Sequence, residues 1–150
     1  MASITERDPS QRFNTYDREI SNIFIFQNDY EKITFVNTTG AELTLTGGEI
    51  IGRVADGGAN NLKGIQLVST ATDGSQFVFG VNSTCVTLPI AGEATITCGI
   101  GGDVDKNLLK LTGAETLDTI VALRTIGDKI MAETKGIRLV DAQELNNYDN

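Results

Sequence analysis

The sequence predicts a mainly β protein: a compact, β-rich single domain with one late helical segment, kinked or split at Gly127, and an extended N-terminal arm. Three observations predict it. Short β-branched or alternating segments recur from Asn22 to Val140, punctuated by Gly, Asn, Asp and Pro. Glycine is frequent, at 16 of 150 residues, and tryptophan is absent, which suits a turn-rich β protein better than a helical bundle. With 40% hydrophobic residues, the chain is long enough to bury one core and too apolar to stay unfolded.

Residues 1–20 are polar and of mixed charge, with Pro9 interrupting them and Phe13 and Tyr16 as isolated aromatics. Such a segment cannot bury enough surface to fold alone. It reads as an arm that orders on a partner, because Arg7, Arg12 and Arg18 alternate with acids. "MASITERDPSQRF" has no apolar stretch of the kind a secretory signal needs, and no run has the length of a membrane span. The expectation is a protein of cytosolic origin, in which the sequons at Asn37 and Asn82 are chance matches.

Residues 21–141 carry the β pattern. "NIFIF" (22–26) and "KITFV" (32–36) read as two strands, "NTTGA" as a turn and "ELTLT" as a third strand. "EIIGRVA" resumes a strand with Gly52 inside it, and "DGGANNLKG" is a loop by composition. "IQLVSTA" and "QFVFGV" are strands on either side of the Asp73-Gly74 turn. Phe77 and Phe79 face one side of the second; Val78 and Val81 are expected to face the other side only if no bulge intervenes, and Gly80 permits a bulge. "TCVTL" and "EATITC" flank "PIAG" as a hairpin, which sets Cys85 nearly opposite Cys98. No disulfide is expected, since two cysteines make no framework and the compartment is reducing. A short apolar strand follows the glycines of "GIGGDVDKNLLKL". Leu117, Ile120, Val121, Ile130 and Met131 then recur at helical spacing, with Thr116 as N-cap and Asp118 in the first turn. Gly136 ends the helix, "IRLV" is the last strand, and residues 142–150 form an acidic tail.

The chemistry legible in the sequence is sparse. There is no histidine, which removes Ser-His-Asp and Cys-His catalysis and most zinc sites. Ser75 beside Asp73 would need another base. "GGEIIGRV" has the glycine spacing of a phosphate loop but places Arg53 and Val54 where Lys and Ser or Thr are required. "DVDKN" supplies the first ligand positions of a calcium loop, yet Leu108 and Ala114 occupy the positions that need Gly and Glu. That leaves at most a weak surface cation site. The net charge of −8 and the absence of any cation between Lys63 and Lys106 argue against nucleic-acid binding. The residues therefore predict no catalytic, cofactor-binding or metal-ligating site, and a binding or structural role.

The order of features resembles the head decoration, or cement, proteins of tailed phages, the lambda-type capsid-stabilising family. The matching positions are Ile51-Gly52, Asp73 to Gln76 with Gly80-Val81, Gly102-Asp103-Val104 with Leu108, and Met131 to Ile137. They span roughly residues 40 to 140. The leader up to Val36 is longer and more strand-like than a minimal member needs. The resemblance implies a compact domain of the β-tulip or small-barrel kind with no enzymatic activity. It also implies a homotrimer on the outer surface of the expanded head, assembled in the host cytoplasm, with no nucleic-acid or membrane partner. There the arm would add β-structure to the major capsid protein, and Ile4, Arg7, Arg12, Phe13, Tyr16 and Arg18 are the candidate capsid contacts. Two rival readings stand beside it. One is another phage part, a head-fibre base or tail component. The other is a small β-barrel enzyme or glycan-binding module in which Asp73, Asp103 and Asp105 converge in a cleft.

Overall fold

The computed structural model describes residues 23–142. Ile4, Arg7, Arg12, Phe13, Tyr16 and Arg18, and with them the whole of the arm, lie outside the described residues, as does the tail beyond Ala142. The described chain is mainly β. Its strands are β1 (Phe24–Val36), β2 (Leu43–Leu45), β3 (Ile50–Arg53), β4 (Gly64–Gln66), β5 (Val78–Asn82), β6 (Val86–Leu88), β7 (Glu93–Asp105), β8 (Ile120–Val121), β9 (Arg124–Thr125) and β10 (Ile137–Val140). One helix of eight residues, α1 (Ile126–Glu133), precedes the last strand. Among the described residues no helix is long and apolar enough to cross a membrane.

The main sheet runs β1-β4-β3-β5-β7, and β7 pairs back onto β1, so five strands close into a small barrel. β10 extends the wall by lying parallel to β7, Ile137 against Gly102 and Val140 against Asp105. Closure leaves few free edges, and burial on both faces of β3 explains its consecutive apolar residues. Adjacent residues separate cleanly: Ile50 joins Val78, Val81, Val104 and the helix residues Ile126 and Ile130 in one core cluster. Ile51 joins Ile33, Phe35, Ile96 and Cys98 in another. The small ladder of β2 with β6 adds Leu45 and Leu88 to the second cluster.

Several sequence expectations change. "FIF" (24–26) and "KITFV" belong to one 13-residue strand, because the polar residues between them bulge, with shifts of register, and stay paired with β7. Gln27 takes a left-handed φ of 51°, and the Asn28 side chain donates to the carbonyls of Gly101 and Asp103 across the irregularity. "IQLVSTA" contributes only Ile65 and Gln66, which with Gly64 make up β4. "TCVTL" and "EATITC" do not pair; β6 binds β2, and Cys98 faces Glu31 on β1 and Asn82 on β5. The buried Asn37 side chain holds the carbonyls of Ala41, Leu88 and Pro89, which fixes the intervening loop. After Asp105 the chain makes a one-turn 3₁₀ helix and a single bridge from Lys110 to Glu49, in place of an apolar strand.

The helix is shorter than its periodicity predicts and is not split at Gly127. It is capped by Thr125, whose side chain accepts from the Asp128 amide, so Thr116 and Asp118 are not its start. Ile120, Val121 and Thr125 are β-branched and form a hairpin instead. Gly127 lies in the first turn, where its amide donates to the Leu117 carbonyl at 2.9 Å. The expected bulge in β5 is present: Ile51 pairs with Gly80 and Gly52 with Val78, leaving Phe79 extra. Against the expectation, the bulge is what allows Val78 and Val81, three apart, to enter the same cluster.

Gly52 is required for close approach, since a Cβ there would overlap the Ser75 carbonyl. Gly52→Ala is expected to lower unfolding free energy by about 2–3 kcal/mol in urea titrations. Gly40→Ala, at a φ of +77° with open space around it, should cost only about 1 kcal/mol. Equal losses at the two positions would refute the close-packing argument.

Candidate functional site

"TDGSQFVFGV" presents a hydroxyl beside a carboxylate, and the fold shows what they do. Ser75 is fully buried. Asp73 Oδ1 accepts from the Ser75 amide at 3.0 Å and from Ser75 Oγ at 2.5 Å, an Asx turn closed by its own side chain. The Ser75 hydroxyl, followed by its amide, holds the Asp73 carboxyl below the usual carboxylate range. Gly74 supplies the φ of +100° that the turn needs. The Asp73 carbonyl accepts from the Ala55 amide at 2.7 Å, which stitches the turn to the end of β3. Ser75 is a structural hydroxyl, spent on a turn that launches β5.

A groove of ≈ 610 Å³ opens beside this turn. Its wall comes from five places in the chain: Glu31 of β1, Arg53 at the end of β3 with Ala55 beyond it, Thr72 to Phe79 without Ser75, Ile100 of β7, and Glu133 to Lys135 at the end of α1. Phe77 is 56% exposed and forms its apolar surface with Phe79. The Arg53 guanidinium stands 6.0 Å over the Phe79 ring, and Lys129 Nζ stands 5.9 Å over Phe77, both within cation–π reach. Lys129 is buried, donates to the Gln76 carbonyl at 2.9 Å and faces Glu133 at 3.8 Å. Glu133 also accepts from the Val78 amide at 2.7 Å, so helix and strand are tied by charge-assisted bonds.

The other singled-out carboxylates are committed elsewhere. Asp103 takes a two-point bond from Arg138, at 2.8 and 2.9 Å. That partner holds its carboxyl below the usual range, first by hydrogen bonding and then by charge. Asp105 caps the 3₁₀ turn by accepting from the Asn107 amide at 3.0 Å. Neither lines the groove, so Asp73, Asp103 and Asp105 do not converge there. Among the described residues no three His, Cys, Asp or Glu side chains gather as a metal site. In "GGEIIGRV", Gly48 makes a turn at φ +95° and leads into β3, not into a helix. Both sequon asparagines are buried with their amide nitrogens donating to backbone carbonyls, which closes them to glycans in the folded chain. Both cysteines are free, and burial pushes the Cys98 thiol up to about 12.

Two surface features escaped the sequence reading. The outer edge of β1 over residues 24–33 has no strand partner among the described residues, and exposed Phe26 and Tyr30 sit along it. The second is the β8–β9 hairpin, whose loop is Ala122-Leu123. Both residues have left-handed φ, 52° and 70°, the arrangement of a two-residue primed turn that normally takes Asn-Gly. Leu123 is 98% exposed and Ile120 is 70% exposed. Only the oddity of Val-Ala-Leu-Arg between two threonines could have signalled this from the sequence.

The hairpin carries strain with no intramolecular return. Under monomeric conditions, Ala122→Asn with Leu123→Gly is expected to raise stability by about 1–2 kcal/mol, read as a higher Tm; a lowered Tm under those conditions would show that the turn is not strained. The Asp103 carboxyl is lowered by folding, so its pairing with Arg138 stabilises the fold fully above the ordinary 3.8 and is lost as pH falls through the lower folded value. Asp103→Asn should therefore reduce stability at neutral pH slightly and flatten its decline between about pH 2 and 5, as measured by denaturation at stepped pH.

No protein-family model matches this chain, and no curated protein matches it.

Proposed function

We propose that this chain is a capsid decoration protein with no enzymatic activity. It binds the exterior of the expanded head of a tailed phage as a homotrimer, and its N-terminal arm adds to the major capsid protein. The observation that carries the reading is the open edge of β1, continuous with the arm and flanked by exposed Phe26 and Tyr30. An unpaired strand edge supplies a row of backbone donors and acceptors, the substrate of strand addition. Several positions that carry the resemblance have structural work in this fold, which is compatible with the reading. Gly52 lies under the Ser75 carbonyl, Asp73 to Gln76 form the Asx turn, and Gly80 sits in the bulge. The glycan-binding and enzyme alternative is disfavoured by Asp103 and Asp105 being engaged away from the groove.

The mechanism is mechanical. Contacts available only on the expanded lattice stabilise that lattice by mass action. Three arms on one trimer give avidity, so each contact can be weak. The net charge of −8 suits a surface that meets basic patches on its partner.

Co-sedimentation with expanded, undecorated heads and with unexpanded procapsids tests this. The full chain is expected to bind the expanded shells saturably and the procapsids weakly. The chain lacking residues 1–20 should fold, as judged by an unchanged far-ultraviolet spectrum of the β domain, and fail to bind. Equal binding by the truncated chain would refute the role of the arm. Absence of binding to cognate expanded heads by the full chain would refute the cement reading and favour another virion part.

A further inference from the structure

We infer that, in the trimer, the β8–β9 hairpin tip of one copy seats in the Phe77 groove of the next, Leu123 on the aromatic surface and Arg124 against Glu31. The inference rests on the trimeric reading above and names the surface that would build it.

The hairpin is unexplained within one chain. Its loop holds two non-glycine residues in the left-handed region, and its leucine is almost fully in water. Local strain kept at a fully exposed apolar side chain is the mark of a feature used in contact with something else. The occupant is identified by charge. Arg124 is the only cation between Lys110 and Lys129, it adjoins Leu123, and it has no ion-pair partner among the described residues. The groove offers a complement: the half-exposed Phe77 ring and, among lining residues that also include Arg53 and Lys135, Glu31, exposed and also without an ion-pair partner among the described residues. For a chain of net charge −8, contact between copies needs such a local pairing to offset the general repulsion.

Placement argues for a neighbour and against self-docking. The tip immediately precedes α1, whereas the groove is built on the end of α1, at Glu133 to Lys135. An eight-residue helix is about 12 Å long, so knob and socket lie at opposite ends of a rigid element. A contact between two different patches of identical chains is heterologous, and when it closes it makes a ring. Three copies in a ring would present three hairpins to three grooves.

Sedimentation equilibrium of the full chain tests the inference, alongside thermal melting. The wild type is expected to be a trimer. Leu123→Gly relieves the turn, so its fold should melt no earlier than wild type under monomeric conditions, while its association weakens at least about tenfold. Arg124→Glu should weaken association similarly, and Arg124→Glu with Glu31→Arg should restore it. A wild-type trimer that Leu123→Gly and Arg124→Glu leave intact would overturn this surface and leave the trimeric reading standing. So would a Leu123→Gly variant that stays trimeric but no longer binds heads, since the shell would then be the occupant. A wild type that is monomeric at all concentrations and on the head would overturn the trimeric reading itself, and this inference with it.

Discussion

The fold depends on one constraint: β7 must serve three neighbours at once. It pairs antiparallel with β1 along nearly its whole length, antiparallel with β5 at Gly99 and Cys98, and parallel with β10 from Gly102. Glycines make this feasible. The Phe24 ring covers Gly99 where a Cβ would collide with it, and it meets Tyr30 edge-on with centroids 5.4 Å apart. Gly102 turns at φ +90° beneath the Gln27 carbonyl. With side chains there, β1 could not cross β7 closely enough for the same strand also to reach β4 and close the barrel. The open edge of β1, on which the proposed strand addition rests, is the half that closure does not use.

The second organising link is between helix and wall. Ile126 and Ile130 supply the apolar contact, and Lys129 and Glu133 add directed bonds to Gln76 and Val78. These bonds hold the β5 bulge, the Asx turn and the helix end in fixed relation. The groove is thus a consequence of rigid parts meeting, and so is the separation between it and the hairpin at the other end of the helix. Carboxylates that look reactive in the sequence are consumed in this work, Asp73 by Ser75 and Asp103 by Arg138.

The sequence made the local parts legible and the long-range parts obscure. Asp73-Gly74 announced a turn because only a few residues accept its backbone, and "IRLV" announced a strand by composition. The unity of β1 was hidden because Asn28 and Asp29 look like a break, yet a side-chain amide bridges it. The apparent hairpin around "PIAG" failed because β6 finds its partner in β2, some forty residues earlier, and nothing in local alternation records that. Leu117, Ile120 and Val121 fell on a helical period by coincidence, and β-branching decided against a helix. The groove is drawn from five segments, so no window of sequence could display it. The arm residues singled out from the sequence lie outside the described residues, and their proposed role rests on the chemistry of the segment and on the resemblance.

On the proposed decoration role, binding of this chain makes an expanded shell harder to break. Calorimetry of expanded heads of a cognate phage, titrated with the purified chain, measures that directly. The shell transition is expected to move to higher temperature with occupancy and to level off when the sites are full. A shell transition that stays put while the bound protein is demonstrably saturating would contradict the account, because a cement that adds no stability to its lattice is not a cement.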